Sequence, residues 1–174
     1  METSIIIILV VAAVVGIYAL LILLDAIFVF SFNKILKVHQ KGLTILLKNK
    51  LDNLNRIFTL LNKNNVVIQE DDLTLLASIG IKDLENAQSE RCLNAIKNLS
   101  YLTSQAIFLI ASEEKLAKHQ ELQMARNYAD ELETNYRSMI AMYNADILGY
   151  NYWIKFLPCR YIFKILKFKE KKII

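Results

Sequence analysis

One proline and four glycines interrupt 174 residues. So few breakers leave little material for the tight turns that a hairpin-built sheet requires. The one stretch of strand character, Val66-Val67-Ile68, is too short to build a sheet. Cysteine is scarce: Cys92 and Cys159 lie far apart with no Cys-x-x-Cys, which fits a reducing compartment and free thiols better than a disulfide framework. Cys92 reads as a small buried side chain, and Cys159, between Pro158 and Arg160, as the more exposed thiol. Histidine is as scarce. Neither His39 nor His119 has a glutamate three residues before it, as the di-iron helical bundles require. Gly-x-Ser-x-Gly, P-loop and His-Glu-x-x-His patterns are missing. No catalytic residue, cofactor or metal site is expected, and the chain reads as a non-enzyme.

What is abundant is apolar. The chain is 55% hydrophobic with a mean hydropathy of +0.31, too apolar for an ordinary soluble domain. The excess is concentrated in Ile5–Leu24, which carries no charge. At 1.5 Å per residue that run spans roughly 30 Å, the hydrocarbon thickness of a bilayer. A cleaved signal peptide would want a basic start and a small-residue cleavage site. Met1-Glu2-Thr3-Ser4 offers no Lys or Arg, and no Ala-x-Ala follows, so a retained anchor is favoured. Lys34, Lys37, Lys41, Lys48 and Lys50 follow the run and no basic residue precedes it. The positive-inside rule then puts the N-terminus outside and the remainder in the cytoplasm. Asp25 is expected at the cytoplasmic interface; a functional intramembrane acid would lack a basic partner. Ala12-x-x-x-Gly16 is a weak small-residue motif for helix pairing, which leaves a homo-oligomer open.

Beyond the run, helical periodicity dominates. Leu43, Leu47, Leu51, Leu54, Phe58 and Leu61 recur at steps of three and four, and Asn62-Lys63-Asn64-Asn65 closes that helix. Asp71 or Asp72 caps a second helix bearing Leu73, Leu76, Gly80 and Leu84, with a turn near Glu85–Glu90. A third helix covers about Arg91–Ile110, with Cys92, Ile96, Leu99 and Ala106 inward. Ser112 caps a fourth, over Glu113–Phe156. Its apolar stripe is Leu122, Ala125, Ala129, Leu132, Tyr136, Ile140, Tyr143, Ile147, Tyr150 and Ile154. The spacing averages about 3.6, which suits a straight bundle helix rather than a heptad supercoil. The fold class is all-α: a transmembrane helix followed by an antiparallel four-helix bundle. The segments are residues 1–4, a span over 5–24 whose apolar character extends to 32, a bundle over 33–158, and a tail over 159–174.

Tyr143-Asn144 and Tyr150-Asn151 repeat at a spacing of seven, followed by Ile154, Leu157-Pro158 and Leu166-Lys167-Phe168-Lys169. This order resembles the C-terminal signature of the LemA family: Tyr-Asn, five residues, Tyr-Asn, two residues, Ile, then Phe-Pro and Leu-Phe-Gly-Phe-Lys. Leu157 replaces the family's Phe, and Ile165-Leu166-Lys167 replaces Leu-Phe-Gly. The segment from Leu47 to Ile57 and Phe32-Asn33 with Ile35-Leu36 are similar to family segments nearer the span, although Asn55 replaces a Pro. The resemblance implies a single-pass protein of the bacterial inner membrane with a helical cytoplasmic domain and no common activity. Family members are associated with membrane organisation and membrane-protein quality control. In this chain Tyr143, Asn144, Tyr150, Asn151, Ile154 and Pro158 are then structural: tyrosines as packing, asparagines as fasteners to a neighbouring helix or to the chain returning after Pro158.

The tail is the expected contact surface. Arg160, Lys164, Lys167, Lys169, Lys171 and Lys172 interleave with aromatic and aliphatic residues, Phe168 among them, and Glu170 is its single acid. Two readings stand. One is an interfacial amphipathic segment on an anionic leaflet; the other is a solvated basic end whose aromatics cover the bundle. Nucleic acid is not expected, because no recognition module accompanies the charge. The expected role is a helical scaffold or adaptor at the cytoplasmic face. Its partners would be the lipid bilayer and other membrane or cytoplasmic proteins. The alternative is a membrane-surface or membrane-organising module acting through the tail.

Overall fold

A computed structural model describes residues 2–86, 89–156 and 160–174. Among these the chain is all helical, with six α-helices, one 3-10 turn and no strand. The helices are α1 (Glu2–Lys63), α2 (Glu70–Ser78), α3 (Glu90–Ser112), α4 (Glu114–Ala117), α5 (Gln120–Lys155) and α6 (Arg160–Ile165), with the 3-10 turn at Ile81–Leu84. Two compact units form. The first takes the chain up to Lys37 together with Asn144–Ile173, the second Val38–Tyr143.

α1 changes character along its length. From Thr3 to Leu24 its side chains are exposed, apart from half-buried Ile22. Burial begins at Asp25 and Val29 and recurs at Leu36, Leu43, Leu47, Leu51, Leu54, Phe58 and Leu61. That is the 3.6-residue period of a helix covered on one face. Asp25 is 2% exposed, so it is enclosed by protein rather than solvated at an interface. The helix ends where the asparagine cluster predicts. Asn65 adopts φ 59, and the N–H groups of Asn65 and Val66 donate to the carbonyls of Asn62 and Leu61 at 3.0 and 3.1 Å. This is a Schellman closure, with Asn tolerating the left-handed position usually given to Gly.

The middle of the chain departs from expectation in three places. Gln69, not an aspartate, precedes α2, and Glu70, Asp71 and Asp72 all fall in its first turn, facing the positive end of the helix dipole. The helix also stops early: Ile79 is extended, and Leu84 is buried from the 3-10 turn instead. The expected fourth helix is divided. Ser112 ends α3, its hydroxyl donating to the Leu109 carbonyl at 2.9 Å. Leu116 in α4 is then buried, and the His119 N–H tightens onto the Leu116 carbonyl at 3.0 Å before α5 starts. On α3, Ser89 caps the start by accepting from the Cys92 N–H at 3.1 Å. Cys92, Ala95, Leu99, Leu102, Ala106 and Ile110 are its buried face, and Ile96 is only half-buried.

Within the second unit α1 and α5 run antiparallel. A Cβ on Gly42 would come 3.1 Å from Met139 Cε; Lys50 bonds Glu133 at 2.7 Å; Asn53 Nδ2 donates to the Ala125 carbonyl at 2.9 Å. Numbers rise on one helix as they fall on the other. Lys50 is 5% exposed and its ammonium lies 4.8 Å from the Tyr136 ring centroid. It is therefore an internal cation, unlike the exposed Lys34, Lys37 and Lys41 that follow the apolar run. Pairing is what makes its burial tolerable, because a lone buried charge costs far more than an exposed one. Burial pushes the Glu133 carboxyl up, but hydrogen bonds from Lys50 and Arg137 overcome this and hold it below the usual carboxylate range. Burial, with Cys92 and Glu133 alongside, raises the Tyr136 phenol.

A depressed carboxyl contributes stability that is present above its unfolded pKa and lost as pH falls through the folded one. Glu133→Gln should therefore lower the melting temperature of detergent-solubilised protein at pH 7, with the gap to wild type closing as pH falls below about 4. Thermal melts followed by circular dichroism measure it; a gap independent of pH would contradict the assignment.

Candidate functional site

The first unit brings the end of α5, the tail and the middle of α1 together. A Cβ on Gly149 would meet Phe32 Cε1 at 2.8 Å, so any larger residue there would have to displace the Phe32 ring. One helical turn on, Trp153 stacks on Phe28 with centroids 4.5 Å apart and planes 8° from parallel. Tyr152 and Phe156 extend the cluster from Trp153 at 5.5 and 5.6 Å. These contacts begin four residues after Leu24, where the bare apolar part of α1 ends.

The chain returns through α6 and is fastened at two levels. Phe168 meets Phe30 edge-on at 5.7 Å and Phe163 at 5.5 Å. Three residues later Lys171 is held on three sides. Asn151 accepts from its N–H at 2.9 Å and donates to its carbonyl at 2.8 Å. The Lys171 ammonium bonds Asn33 Oδ1 at 2.8 Å and lies 4.9 Å from the centre of the Tyr150 ring. Burial, with Lys37 nearby, lowers the Lys171 pKa. Lys171 was expected on the contact surface; it is half-buried instead, with Asn151 holding its backbone while Asn33 Oδ1 and the Tyr150 ring replace part of the water its ammonium loses. Phe168, also expected on the contact surface, is half-buried against Phe30 and Phe163.

Arg160, Lys164, Lys167, Lys169 and Lys172 remain exposed. Lys155 pairs with Glu170 at 2.8 Å. An open cleft of about 480 Å³ is lined by Lys155, Arg160, Lys164 and Glu170 together with Ile154, Phe163 and Phe168. Of the signature residues, Tyr143, Tyr150 and Ile154 are buried, and burial raises both phenols. Asn144 is half-buried. Pro158 and Cys159 lie outside the described residues. Charge is unevenly shared. The unit holding this site carries nine Lys and Arg against four acids, the other twelve against thirteen. Among the described residues no group of three or more His, Cys, Asp or Glu could hold a metal.

α6 closes in a way the sequence conceals. Lys167 adopts φ 61, and the N–H groups of Lys167 and Phe168 donate to the carbonyls of Lys164 and Phe163 at 3.2 and 3.0 Å. This is a second Schellman closure, with the Phe163–Phe168 contact that commonly accompanies it. A non-glycine residue there costs about 1 kcal/mol. Lys167→Gly should therefore slow tryptic cleavage at the neighbouring Lys164 and Lys169, whereas Asn151→Ala, which removes two bonds worth about 1 kcal/mol each, should speed it. Unchanged cleavage in both variants would contradict this account of the tail. The chain matches no family model, no curated protein and no solved structure.

Proposed function

We propose that the chain is a LemA-like single-pass membrane protein, a non-enzymatic helical scaffold or adaptor at the cytoplasmic face. The observation that carries this reading is the two-part α1. Its first part is long and apolar enough to cross a membrane and is bare of protein contacts. Its second part is amphipathic and covered on one face. A bare apolar helix in water would expose far more contiguous apolar surface than soluble proteins tolerate. The cytoplasmic part, residues 33–158, is read as an antiparallel four-helix bundle, supported by the antiparallel course of α1 and α5.

Two details support the family reading. The family's signature glycine aligns with Lys167, and that residue has the left-handed backbone a glycine would serve. The second Asn of the signature fastens the returning chain at Lys171. The scaffold role draws on large exposed apolar side chains such as Phe108, Met124 and Tyr128, which offer contact area to another protein. A second reading, a membrane-surface module, is favoured by the exposed cations of α6 beside the Phe28–Trp153 cluster.

Topology is the first test. Cys92 is fully buried and makes a poor reporter, so exposed Val67 is the better site. In a Cys159→Ser background, Val67→Cys should react with an impermeant maleimide only after cells are opened, and Thr3→Cys in intact cells. The reverse pattern would overturn the orientation. A photo-crosslinker at Phe108 should give discrete protein adducts that survive deletion of residues 159–174; only self-adducts would contradict an adaptor role.

A further inference from the structure

We propose that the cleft between the end of α5 and α6 seats the head group of an anionic phospholipid, with Arg160 and Lys164 as its cationic contacts. The inference rests on the reading that the first part of α1 lies in a bilayer, and it names the partner that this position would meet.

Depth is the first argument. Phe28 and Phe30 lie four and six residues beyond Leu24, which is roughly 6–9 Å along a helix axis. The polar interfacial layer on each side of a bilayer is about 5–8 Å thick. Trp153 is at the level of Phe28, and Phe168 is at the level of Phe30. The Phe163–Phe168 contact then ties α6 to the same level. Stacked Trp and Phe with Tyr152 nearby are the side chains that favour this layer.

Charge is the second. The cleft is lined by three cations and one acid. Glu170 is already engaged by Lys155, so Arg160 and Lys164 supply the net positive field. Both are exposed, and neither is turned into protein as Lys171 is. Arg presents a planar fork suited to a phosphodiester. Shape is the third. The cleft adds Ile154, Phe163 and Phe168 as apolar walls. The exposed apolar surface of α1 before Asp25 continues toward the bilayer centre, where the acyl chains would run.

Trp153 is the single tryptophan, so its fluorescence reports this site alone. The test uses the full chain reconstituted in phosphatidylcholine bilayers containing a minor fraction of phosphatidylglycerol. A nitroxide high on the acyl chain is carried by one lipid or by the other. Phosphatidylglycerol label should quench Trp153 with about fivefold or greater preference at equal mole fraction, since each cation near an anionic surface is worth roughly a fivefold gain. Arg160→Gln with Lys164→Gln should reduce the preference below about twofold, while quenching by labelled phosphatidylcholine persists. Lys169→Gln with Lys172→Gln removes the same charge outside the cleft and should retain the preference. Equal quenching by both lipids in the wild type, or an equal loss in the two variant pairs, would overturn the cleft assignment with membrane insertion intact. No quenching by either lipid would instead contradict the insertion on which it rests.

Discussion

The structure depends on a change of surroundings along one helix, bare of protein before Asp25 and covered on one face after it. Up to Leu24, α1 is apolar on every side and touches almost nothing else in the chain. From Asp25 onward it buries one face at the helical period, while Ile27, Phe28, Phe30 and Ile35 keep apolar surface exposed among the lysines that follow. A helix apolar all round needs a surrounding that water does not provide, whereas an amphipathic one needs a protein partner. Both demands are written into one element without a break. Asp25, the first buried position, marks the exchange. Gly149 then lets α5 approach Phe32 closely, Phe28 stacks on Trp153 one turn along, and Phe30 meets Phe168 of the returning tail.

The tail is arranged by the same exchange. Its cations divide by environment: Lys171 faces Asn33, Asn151 and Tyr150, while Arg160 and Lys164 face a cleft. An ammonium moves inward only where other groups replace its water, and the tail meets such a set at Asn33 and Tyr150. The remaining positive charge stays at the surface of the unit that carries the apolar run. The balance elsewhere is close to neutral. That asymmetry matches the electrostatics of a protein resting against an anionic leaflet.

Much of this was legible in the residues. The stripe from Leu43 to Leu61 and nine of ten positions in the stripe of α5 are buried, because apolar periodicity responds directly to burial. The C-terminal end of α1 was legible too, since four polar residues closed by Asn65 carry their own turn chemistry. Long-range partners were not legible. Nothing local marks Lys50 as internal, since its partner Glu133 is 83 residues away and its cover is Tyr136. The break at His119 carries no local signal, since neither proline nor glycine lies between Ser112 and Gln120. Lys167 hid a left-handed turn, because lysine gives no sign of one. Asn151 was legible as a fastener, but not the lysine it fastens.

The central claim is that α1 leaves the bilayer between Leu24 and Asp25 and enters protein there. Nitroxide side chains placed singly from Tyr18 to Asn33 in the reconstituted chain test it most directly, by comparing oxygen with a polar relaxation agent. The account predicts high oxygen access on all faces up to Leu24. From Asp25 a helical alternation should follow, with low access to both agents on the face of Asp25 and Val29. Polar access within residues 18–24, or oxygen access on every face through to Asn33, would contradict it.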